Sequence, residues 1–292
     1  GGVDMMGLNA LQYLRKSETK RIKENYRKFR YPANAYTYMG YNFSSPIFSE
    51  TRIRKALAYA IDRKSLVEGV LMGIGQPCTG PFSHVSWAYN PNIKPYPYDP
   101  DRAKRMFAEA GWTDENNDGL LEKDGRPFRF TILTNQGNKE RIGASEIIQQ
   151  NLKKVGIEVN IRVMEWQAFL EQIDKHTFDA IILGWSMGRD PDLYDIWHSS
   201  KTKKGEYNFI GYKNPEVDRL LVDGRRTFDI EKRKKIYFRI HEILAEEQPY
   251  AFLYVPDATP IVHKRFKGIA VAPLGIMYNF REWQVPKNRM EW

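Results

Sequence analysis

Residues 128–185 read FRFTILTNQGNKERIGASEIIQQNLKKVGIEVNIRVMEWQAFLEQIDKHTFDAIILGW, and this stretch decides the fold. Apolar and polar residues alternate over Phe128–Ile132 and again over Ile157–Val163, which indicates two β-strands. Between them, apolar residues from Ala144 to Val155 recur at the spacing of one helix face. A strand, a helix and a strand of this length form a right-handed crossover between parallel strands. We therefore predict an α/β fold.

The same alternation of helices and strands continues on the carboxy-terminal side. Glu165–Lys175 has helical spacing, and Phe178–Trp185 is a continuous apolar run that favours a strand buried on both faces. Asn214 and Asp229 are typical helix starts, and Ala251–Val255 is predicted to be a buried strand. The segment from residue 256 to the end is predicted to consist of strands and loops.

The amino-terminal third is less regular. The basic segment Leu8–Phe29 is predicted to be helical, and the tyrosine-rich segment Ala35–Phe43 is predicted to be a strand or an inter-domain crossing. Ser49 is a candidate cap for the next helix, and Asp99, which precedes a proline, is a second candidate cap. Between these two helix starts lies a proline- and aromatic-rich loop that covers residues 75–100.

Composition is ordinary for a globular chain of 292 residues, with 42% hydrophobic and 28% charged residues. No apolar run reaches 18 residues, so no transmembrane helix is predicted, and the first thirty residues contain no signal peptide. The single cysteine, Cys78, excludes an intramolecular disulfide. Without a nearby base it is predicted to be a plain small residue and not a nucleophile.

The net charge of +9 raises the possibility of a nucleic-acid or membrane-surface partner. The excess is densest near the amino terminus, at Arg15, Lys16, Lys20, Arg21, Lys23, Arg27, Lys28 and Arg30. Long basic side chains on one side of a helix are usually a solvated face. The sequence favours that interpretation over a nucleic-acid site, and both stay open here.

Signatures of the common catalytic classes are missing from the sequence. It contains no phosphate-binding glycine loop, no nucleophile-elbow serine and no His-Glu-x-x-His helix. The five histidines are scattered, with no pair at metal-ligand spacing. We therefore expect a protein that is not an enzyme and that holds no cofactor or metal.

One segment has features of a calcium loop. Residues 114–119 (DENNDG) place oxygen donors at alternate positions before a turn glycine. The pattern then fails, because position twelve is Gly125, where a bidentate glutamate belongs. A hairpin turn accounts for these residues equally well.

Polar and aromatic residues follow two strands of the predicted sheet. Asn135 and Arg141 follow one strand, and Trp185, Asp190 and Asp192 follow another. Ligands of parallel α/β sheets bind outside the carboxyl ends of the strands. Trp185 could form a flat apolar wall, either aspartate could bind an ammonium group, and Arg141 could bind a carboxylate. The alternative is that Trp185 belongs to the core and that Asp190 begins a helix.

Residues 53–63, IRKALAYAIDR, resemble the Val-Arg-x-Ala-x-x-x-Ala-Ile-Asp-Arg motif of the oligopeptide- and dipeptide-binding family of solute-binding proteins. Further motifs of that family follow in the same order from about Tyr36 to Trp283. They are Tyr98-Asp99-Pro100, Ala110-Gly111-Trp112, Asp118-Gly119, Gly156-Ile157, Glu165-Trp166, Gly184-Trp185, Asp190-Pro191-Asp192, Gly211-Tyr212 and Gln248-Pro249.

The resemblance implies a periplasmic-binding-protein-like fold in which two lobes close over a ligand. Residues 47–246 would form the smaller lobe, with a mostly parallel sheet flanked by helices. Residues 1–46 and 247–292 would be pieces of the larger lobe with the hinge and return segments. Half a cleft then lies outside this chain, so we expect the chain alone to bind ligand weakly or not at all.

The resemblance also implies which residues contact ligand: Asn135, Arg141, Trp166, Trp185, Asp190 and Asp192. Relatives anchor a peptide amine on an aspartate three residues after the tryptophan, and Gly188 stands there in this chain, so Asp190 is a candidate replacement. Arg141 matches the region where relatives hold a ligand carboxylate.

Functionally, the resemblance implies a monomer that captures a small peptide or similar solute in the periplasm or outside the cell. It would deliver the solute to an ABC transporter permease, and the resemblance allows a lipid anchor on a missing amino-terminal segment. The alternatives are a basic nucleic-acid-binding module and a peptide hydrolase, and for this chain we expect no nucleic-acid partner.

Overall fold

The structure is a computed structural model that describes residues 3–272 and 275–287. Its α-helices are α1 (Ala10–Leu14), α2 (Lys20–Asn25), α3 (Thr51–Ala60), α4 (Arg63–Leu71), α5 (Pro100–Glu109), α6 (Lys139–Lys153), α7 (Trp166–Asp174), α8 (Tyr194–Trp197), α9 (Pro215–Arg226) and α10 (Ile230–Glu247). Its strands are β1 (Met5–Gly7), β2 (Tyr26–Lys28), β3 (Tyr31–Pro32), β4 (Ala35–Tyr41), β5 (Gly75–Pro77), β6 (Glu122–Lys123), β7 (Arg126–Pro127), β8 (Arg129–Asn135), β9 (Glu158–Met164), β10 (Ala180–Ser186), β11 (Tyr250–Ala258) and β12 (Pro260–His263). Within these ranges no helix combines the length and the apolar character that crossing a membrane requires.

The main sheet contains the strands that the sequence predicts as a crossover. β9 pairs with β8, and β8 with β10, both in parallel, so the crossover prediction is confirmed. β4 pairs antiparallel with β10 along its whole length, and β11 pairs antiparallel with β4. The strands β9, β8, β10 and β11 therefore share one direction, and β4 runs against them. The α/β fold class is confirmed, and the sheet is mixed.

Helices cover both faces of this sheet and produce two cores. Helices α3, α4, α5 and α6 pack on one face, and α7, α8, α9 and α10 pack on the other. Side chains alternate along β10, so Ile182 belongs to the first core and Ile181 to the second, and both are fully buried. Burial of this strand on both faces, predicted from its continuous apolar run, is confirmed for residues 180–183.

A second sheet joins the two ends of the chain. In it β12 pairs antiparallel with both β1 and β2. Two segments run side by side between the sheets: the Phe29 N–H donates to the Pro260 carbonyl at 2.9 Å, and the Ala33 N–H donates to the Pro256 carbonyl at 2.9 Å. The chain thus crosses between the sheets twice, once before β4 and once after β11.

Two predictions near the amino terminus are wrong. Leu8–Phe29 is not one helix, because residues 26–28 pair with β12 and form β2. Ser49 does not cap α3, since Glu50 holds the cap position and the Ser49 hydroxyl donates to the Pro46 carbonyl at 2.8 Å. The other helix starts are confirmed by backbone N–H groups that donate to the side chains of Asp99, Asn214 and Asp229.

The carboxy-terminal segment contains one element that the sequence did not predict. Residues Ile276–Glu282 form 3-10 helix where strands and loops were expected. Short 3-10 helices also lie at Lys16–Glu18 and Pro46–Phe48. The return segment was predicted to reach residue 292, and its residues 273–274 and 288–292 lie outside the described ranges.

Two arginines of the family-like motif are buried and hold the first core together. The Arg54 guanidinium donates to the carbonyls of Phe48, Ser49 and Glu247 at 2.7–3.0 Å. Arg63 donates to the carbonyls of Ala58 and Phe252 at 2.8 and 2.7 Å. These bonds tie α3 to the end of α10 and α4 to strand β11. The motif is therefore explained by buried carbonyl groups that need donors.

Replacing Arg54 with methionine should lower the free energy of unfolding by roughly 2 to 4 kcal/mol, because several buried carbonyls lose their donor. The matched control is Arg52→Met on the same helix, where the side chain is exposed and the cost should stay below about 0.5 kcal/mol. Urea denaturation measures both. Equal costs for the two variants would contradict the role of Arg54.

A buried histidine fixes the loop after β5 to α10. His241 Nδ1 accepts the Asn90 N–H at 3.2 Å, and Nε2 lies 3.2 Å from the Thr79 hydroxyl. A Cβ atom at Gly80 would lie 2.2 Å from the ring, so only glycine allows this approach. Burial lowers the pKa of His241 from 6.5 to about 4, and burial raises the pKa of the neighbouring Cys78 thiol to about 12. Both groups are therefore neutral packing residues at physiological pH.

The free energy of unfolding should fall as pH drops from about 6.5 toward 4, because unfolded His241 then takes up a proton that the folded state excludes. Between pH 7.5 and 4.5 the loss from this group should be roughly 2 to 3 kcal/mol. His241→Gln should remove that part of the pH dependence, and the half-buried His198→Gln control should keep it. Urea titrations across pH test this, and an unchanged slope in His241→Gln would contradict it.

Candidate functional site

The carboxyl ends of the parallel strands lie at one edge of the main sheet. β8 ends at Asn135, β9 ends at Met164 and β10 ends at Ser186. The six residues that the sequence analysis singled out lie at the ends of these strands or in the segments that directly follow them, so the strand ends that it predicted to share one edge do so. The two crossings between the sheets lie at the same edge, because β4 begins there and β11 ends there.

Arg141 lies in the first turn of α6, which Asn138 caps. Its Nη1 donates to the Asn135 Oδ1 at 2.8 Å, and these two predicted residues are therefore in contact. Among the described residues no carboxylate lies within 4.0 Å of its guanidinium, although the side chain is half-buried. Burial lowers its pKa, a sign that water stabilises the charge incompletely. Arg141 is thus a cation that Asn135 holds in place, and its guanidinium has further N–H donors that can bind a ligand.

Gly184 on β10 lies between the β4 backbone and Arg141. A Cβ atom at that position would lie 3.1 Å from the Tyr36 carbonyl and 3.7 Å from Arg141 Nη2. The Thr37 hydroxyl lies 3.6 Å from the same point. A larger residue would thus press on the Tyr36 carbonyl of β4, while its Cβ atom would meet Arg141 at an ordinary van der Waals distance.

Trp185 is the aromatic wall of the edge. Its ring stacks on Phe209 at 6.3 Å and meets Tyr207 edge-on at 5.4 Å, and it lies parallel to Tyr38 at 6.4 Å. The side chain is half-buried, and its Nε1 has no partner with hydrogen-bond geometry although the Tyr250 hydroxyl lies beside it. Trp185 is therefore part core and part surface, which combines both interpretations of the sequence.

Trp166 lies apart from Trp185. It begins α7 after the Glu165 cap, is 40% exposed and stacks on Phe169 with ring centroids 5.7 Å apart. Its aromatic contact in the described structure is with Phe169 and not with Trp185 or Arg141. Trp166 offers apolar surface at the end of β9, at a separate point along the edge.

Asp190 and Asp192 already have cationic partners on helices of the main sheet. Asp190 lies 2.8 Å from Arg233 of α10, and Asp192 binds Arg225 of α9 through two donors at 2.8 and 2.6 Å. Burial alone raises the pKa of Asp192, but the hydrogen bonds from Arg225 and from the backbone of Tyr194 outweigh it and lower the net pKa. An ammonium group at either aspartate would have to share the carboxylate with an arginine.

Two further polar residues at this edge were missed by the sequence analysis. The Asn34 amide donates to the carbonyls of Met187 and Gly188 at 2.9 and 2.8 Å and fixes the loop after β10. Asn34 and Arg189 line a cavity of about 210 Å³ together with Trp87 and Tyr278, where the carboxy-terminal segment meets that loop. No signal in a single sequence brings these distant residues together.

A second cavity lies away from this edge, between helices. It has a volume of about 1440 Å³ and is lined by α3, α5, α9, α10 and the loop residues 93–97. Two ion pairs lie in its lining, Lys55 with Glu246 and Arg239 with Glu216 at 2.8 Å, and Lys94, Arg102 and Glu109 also line it. We place the functional site at the carboxyl edge because ligands of parallel α/β sheets bind there.

The calcium-like segment behaves as a turn. Asp114 accepts the N–H groups of Asp118 and Gly119, and Asn116 accepts that of Asp118. The oxygens that a cation would need are thus used by the turn itself. In residues 3–272 and 275–287 no group of three or more His, Cys, Asp or Glu side chains is arranged to hold a metal ion.

Known proteins that are similar to this chain are solute-binding proteins. The family model described as bacterial extracellular solute-binding proteins, family 5 Middle, matches residues 1–207. The oligopeptide-binding protein AppA of Bacillus subtilis (strain 168) is 42% identical over 259 residues, which cover 87% of this chain and 48% of AppA.

Two solved structures are similar to this chain. The Bacillus subtilis AppA complex with a nonapeptide has a TM-score of 0.84 and 38% identity, covering 98% of this chain and 56% of that one. NikZ from Campylobacter jejuni in complex with Ni(L-His) has a TM-score of 0.81 and 26% identity, covering 97% of this chain and 57% of that one. The chain thus spans about half the length of the relatives that it matches.

A double-mutant cycle with Asp192→Asn and Arg225→Gln should give a coupling energy of roughly 0.5 to 1 kcal/mol, because the pair is bidentate but partly exposed. The coupling should weaken at high salt. Asp195→Asn with Arg225→Gln is the matched control, since that pair is 4.0 Å apart, and its coupling should be close to zero. No coupling between Asp192 and Arg225 would leave Asp192 available to a ligand.

Proposed function

The chain belongs to family 5 of the bacterial extracellular solute-binding proteins, and on that basis we propose that it binds peptides for delivery to an ABC transporter permease. The observation that carries the proposal is Arg141: a half-buried guanidinium, positioned by Asn135, that has no carboxylate partner in the described structure. Such a group is suited to the carboxylate end of a peptide. A solved relative with 38% identity holds a nonapeptide.

The six predicted residues differ in how strongly the structure supports a contact with ligand. Asn135 positions Arg141, and Trp185 provides flat apolar surface beside it. Trp166 would contact a more distant part of the ligand, since its own ring contact lies on α7. Asp190 and Asp192 are the weakest candidates, because Arg233 and Arg225 compete for their charge. We still propose that Asp190 binds a peptide amine, at the energetic cost of sharing its carboxylate with Arg233.

We propose the domain boundaries that the sequence suggested. Residues 47–246 form the smaller lobe, residues 1–46 bring in the hinge strand, and residues 247–292 return to the larger lobe. The two crossings lie at residues 29–33 and 256–260, so the hinge strand β4 and the return strand β11 both pair within the main sheet before the chain leaves it. Met5 and Met6 of β1 and Leu11 and Leu14 of α1 are each about 40% exposed, as expected where a further lobe packs.

Binding would then require closure of a second lobe over this edge. The edge supplies one wall of a cleft, and a ligand at Arg141 and Trp185 is open on the other side. Closure buries the remaining ligand surface and supplies much of the affinity. A monomer that acts outside the cytoplasm, with or without a lipid anchor, is the form that we propose.

The two alternative functions gain no support. The relatives reported above are named for solute binding, and none is named for catalysis or for nucleic-acid binding. The basic residues near the amino terminus lie on separate elements, and Lys23 and Lys28 both pair with Glu18. A continuous cationic face of the kind that nucleic acids bind is therefore broken at this point.

Arg141→Gln should weaken binding of tetra-alanine roughly 10- to 100-fold, because a charged hydrogen bond to the peptide carboxylate is lost. Calorimetry on the natural full-length polypeptide that contains these 292 residues measures the effect. Tetra-alanine amide, which lacks the carboxylate, should bind the parent and the variant alike.

The matched control is Arg129→Gln, an exposed arginine at the opposite end of β8 that should leave the affinity unchanged. If amidation of the peptide and Arg141→Gln, made together, weaken binding by the product of their separate effects, the carboxylate is bound elsewhere and the assigned role of Arg141 is wrong.

A further inference from the structure

A small cavity lies at the functional edge, the carboxyl edge of the main sheet, beside the loop that follows β10. It has a volume of about 210 Å³ and is lined in part by Asn34. The Asn34 carbonyl accepts the Met187 N–H at 2.8 Å, and its side-chain amide donates to the carbonyls of Met187 and Gly188. Pockets that enclose a whole drug-sized ligand have volumes of about 300 to 1,000 Å³, so this cavity has room for one side chain of a ligand.

The walls of the cavity are largely apolar. They include Val85 and Trp87 from the loop after β5, and Ala272 and Tyr278 from the carboxy-terminal segment. Helix α10 holds Trp87 in place, because the Arg233 guanidinium lies 5.5 Å from the centre of the indole ring. Such walls can cover the apolar stem of a side chain and displace water from around it. A charge at the end of that stem then interacts more strongly with a charge of the protein.

The cavity has a positive charge without a counter-ion. Among the residues that line it in the described structure, Arg189 alone is charged, and its guanidinium forms no ion pair or hydrogen bond there. The two aspartates of the same loop do not neutralise it. Asp190 is bound by Arg233 at 2.8 Å, and Asp192 is bound by Arg225 at 2.6 Å. Arg189 is therefore available to an anionic group.

A hydroxyl group lies in the same lining. Ser86 Oγ accepts the Ala88 N–H at 3.3 Å, while its own O–H donates to no acceptor within residues 3–272 and 275–287. The Asn34 amide, in contrast, uses its N–H groups on the carbonyls of the loop. The donors available to a ligand thus include those of Arg189 and Ser86. A guanidinium and a hydroxyl are suited to the two oxygens of a carboxylate.

We propose that this cavity is a subsite for an acidic side chain, aspartate or glutamate, of a bound peptide, in which Arg189 binds the carboxylate and Trp87 and Tyr278 cover the apolar stem. The inference rests on the proposed function, since it assumes that the ligand is a peptide. A peptide also has a carboxylate at its end. The proposed function assigns that group to Arg141, which leaves Arg189 for a side chain.

The test compares tetra-alanine peptides that have glutamate at the first, second or third position with peptides that have glutamine there, because the two side chains share one shape and differ in charge. Calorimetry on the natural full-length polypeptide should show about fivefold tighter binding of the glutamate peptide at one of these positions. Arg189→Gln should reduce that ratio to about one. The matched control is Arg105→Gln, which removes an exposed arginine of α5 and should keep the ratio.

A second variant tests whether the cavity itself receives the side chain. Ala272→Leu narrows the cavity, so it should weaken the glutamate and the glutamine peptide roughly fivefold at the position that shows the preference. Tetra-alanine, whose side chains are small, should bind this variant and the parent alike. If Ala272→Leu leaves all affinities unchanged, the cavity is not used and the subsite is wrong, even where Arg189→Gln removes the preference through its long-range field.

Each other outcome decides a separate point. A glutamate-to-glutamine ratio close to one at all three positions overturns the subsite and leaves the proposed function intact. Tetra-alanine has a carboxylate only at its end, so its weaker binding to Arg189→Gln would assign that terminal carboxylate to Arg189 and would also overturn the subsite. If none of the peptides binds, the proposed function itself fails.

Discussion

Strand β4 is the constraint on which the rest of the structure depends. It pairs with β10 on one side and with β11 on the other, and its tyrosines are buried on the faces that α7–α10 and α3–α6 cover. Because β4 and β11 also carry the two crossings to the second sheet, their pairing sets where that sheet stands relative to the loops after β8 and β10. Any movement of the second sheet relative to the main sheet would be concentrated in these two segments.

The polar groups at the functional edge fall into two classes. The loop after β10 is held by neighbouring segments: Asn34 fixes its backbone, and Arg225 and Arg233 bind its aspartates. The start of α6 instead carries Arg141, whose charge has no carboxylate partner in the described structure. The aromatic and ion-paired wall is preorganised, so little entropy is lost when a ligand packs on it. The unpaired charge beside it can bind a charged group of the ligand.

The sequence predicted what is local and periodic, and it failed where distant segments decide. The alternation in 128–132 and 157–163 predicted the crossover, and the strand ends predicted the edge that carries Arg141 and Trp185. Residues 26–28 were predicted as helix, because only β12, more than 230 residues later, makes them a strand. The arginine partners of Asp190 and Asp192 were likewise invisible, since α9 and α10 reach the loop only through the fold.

A crystal structure of the natural full-length polypeptide with a bound peptide tests the central claim most directly. The account predicts that the ligand carboxylate lies within hydrogen-bond distance of the Arg141 guanidinium, about 2.9 Å, with the peptide against Trp185. A peptide whose carboxylate is held by other residues, while Arg141 keeps only its contact with Asn135, would contradict it.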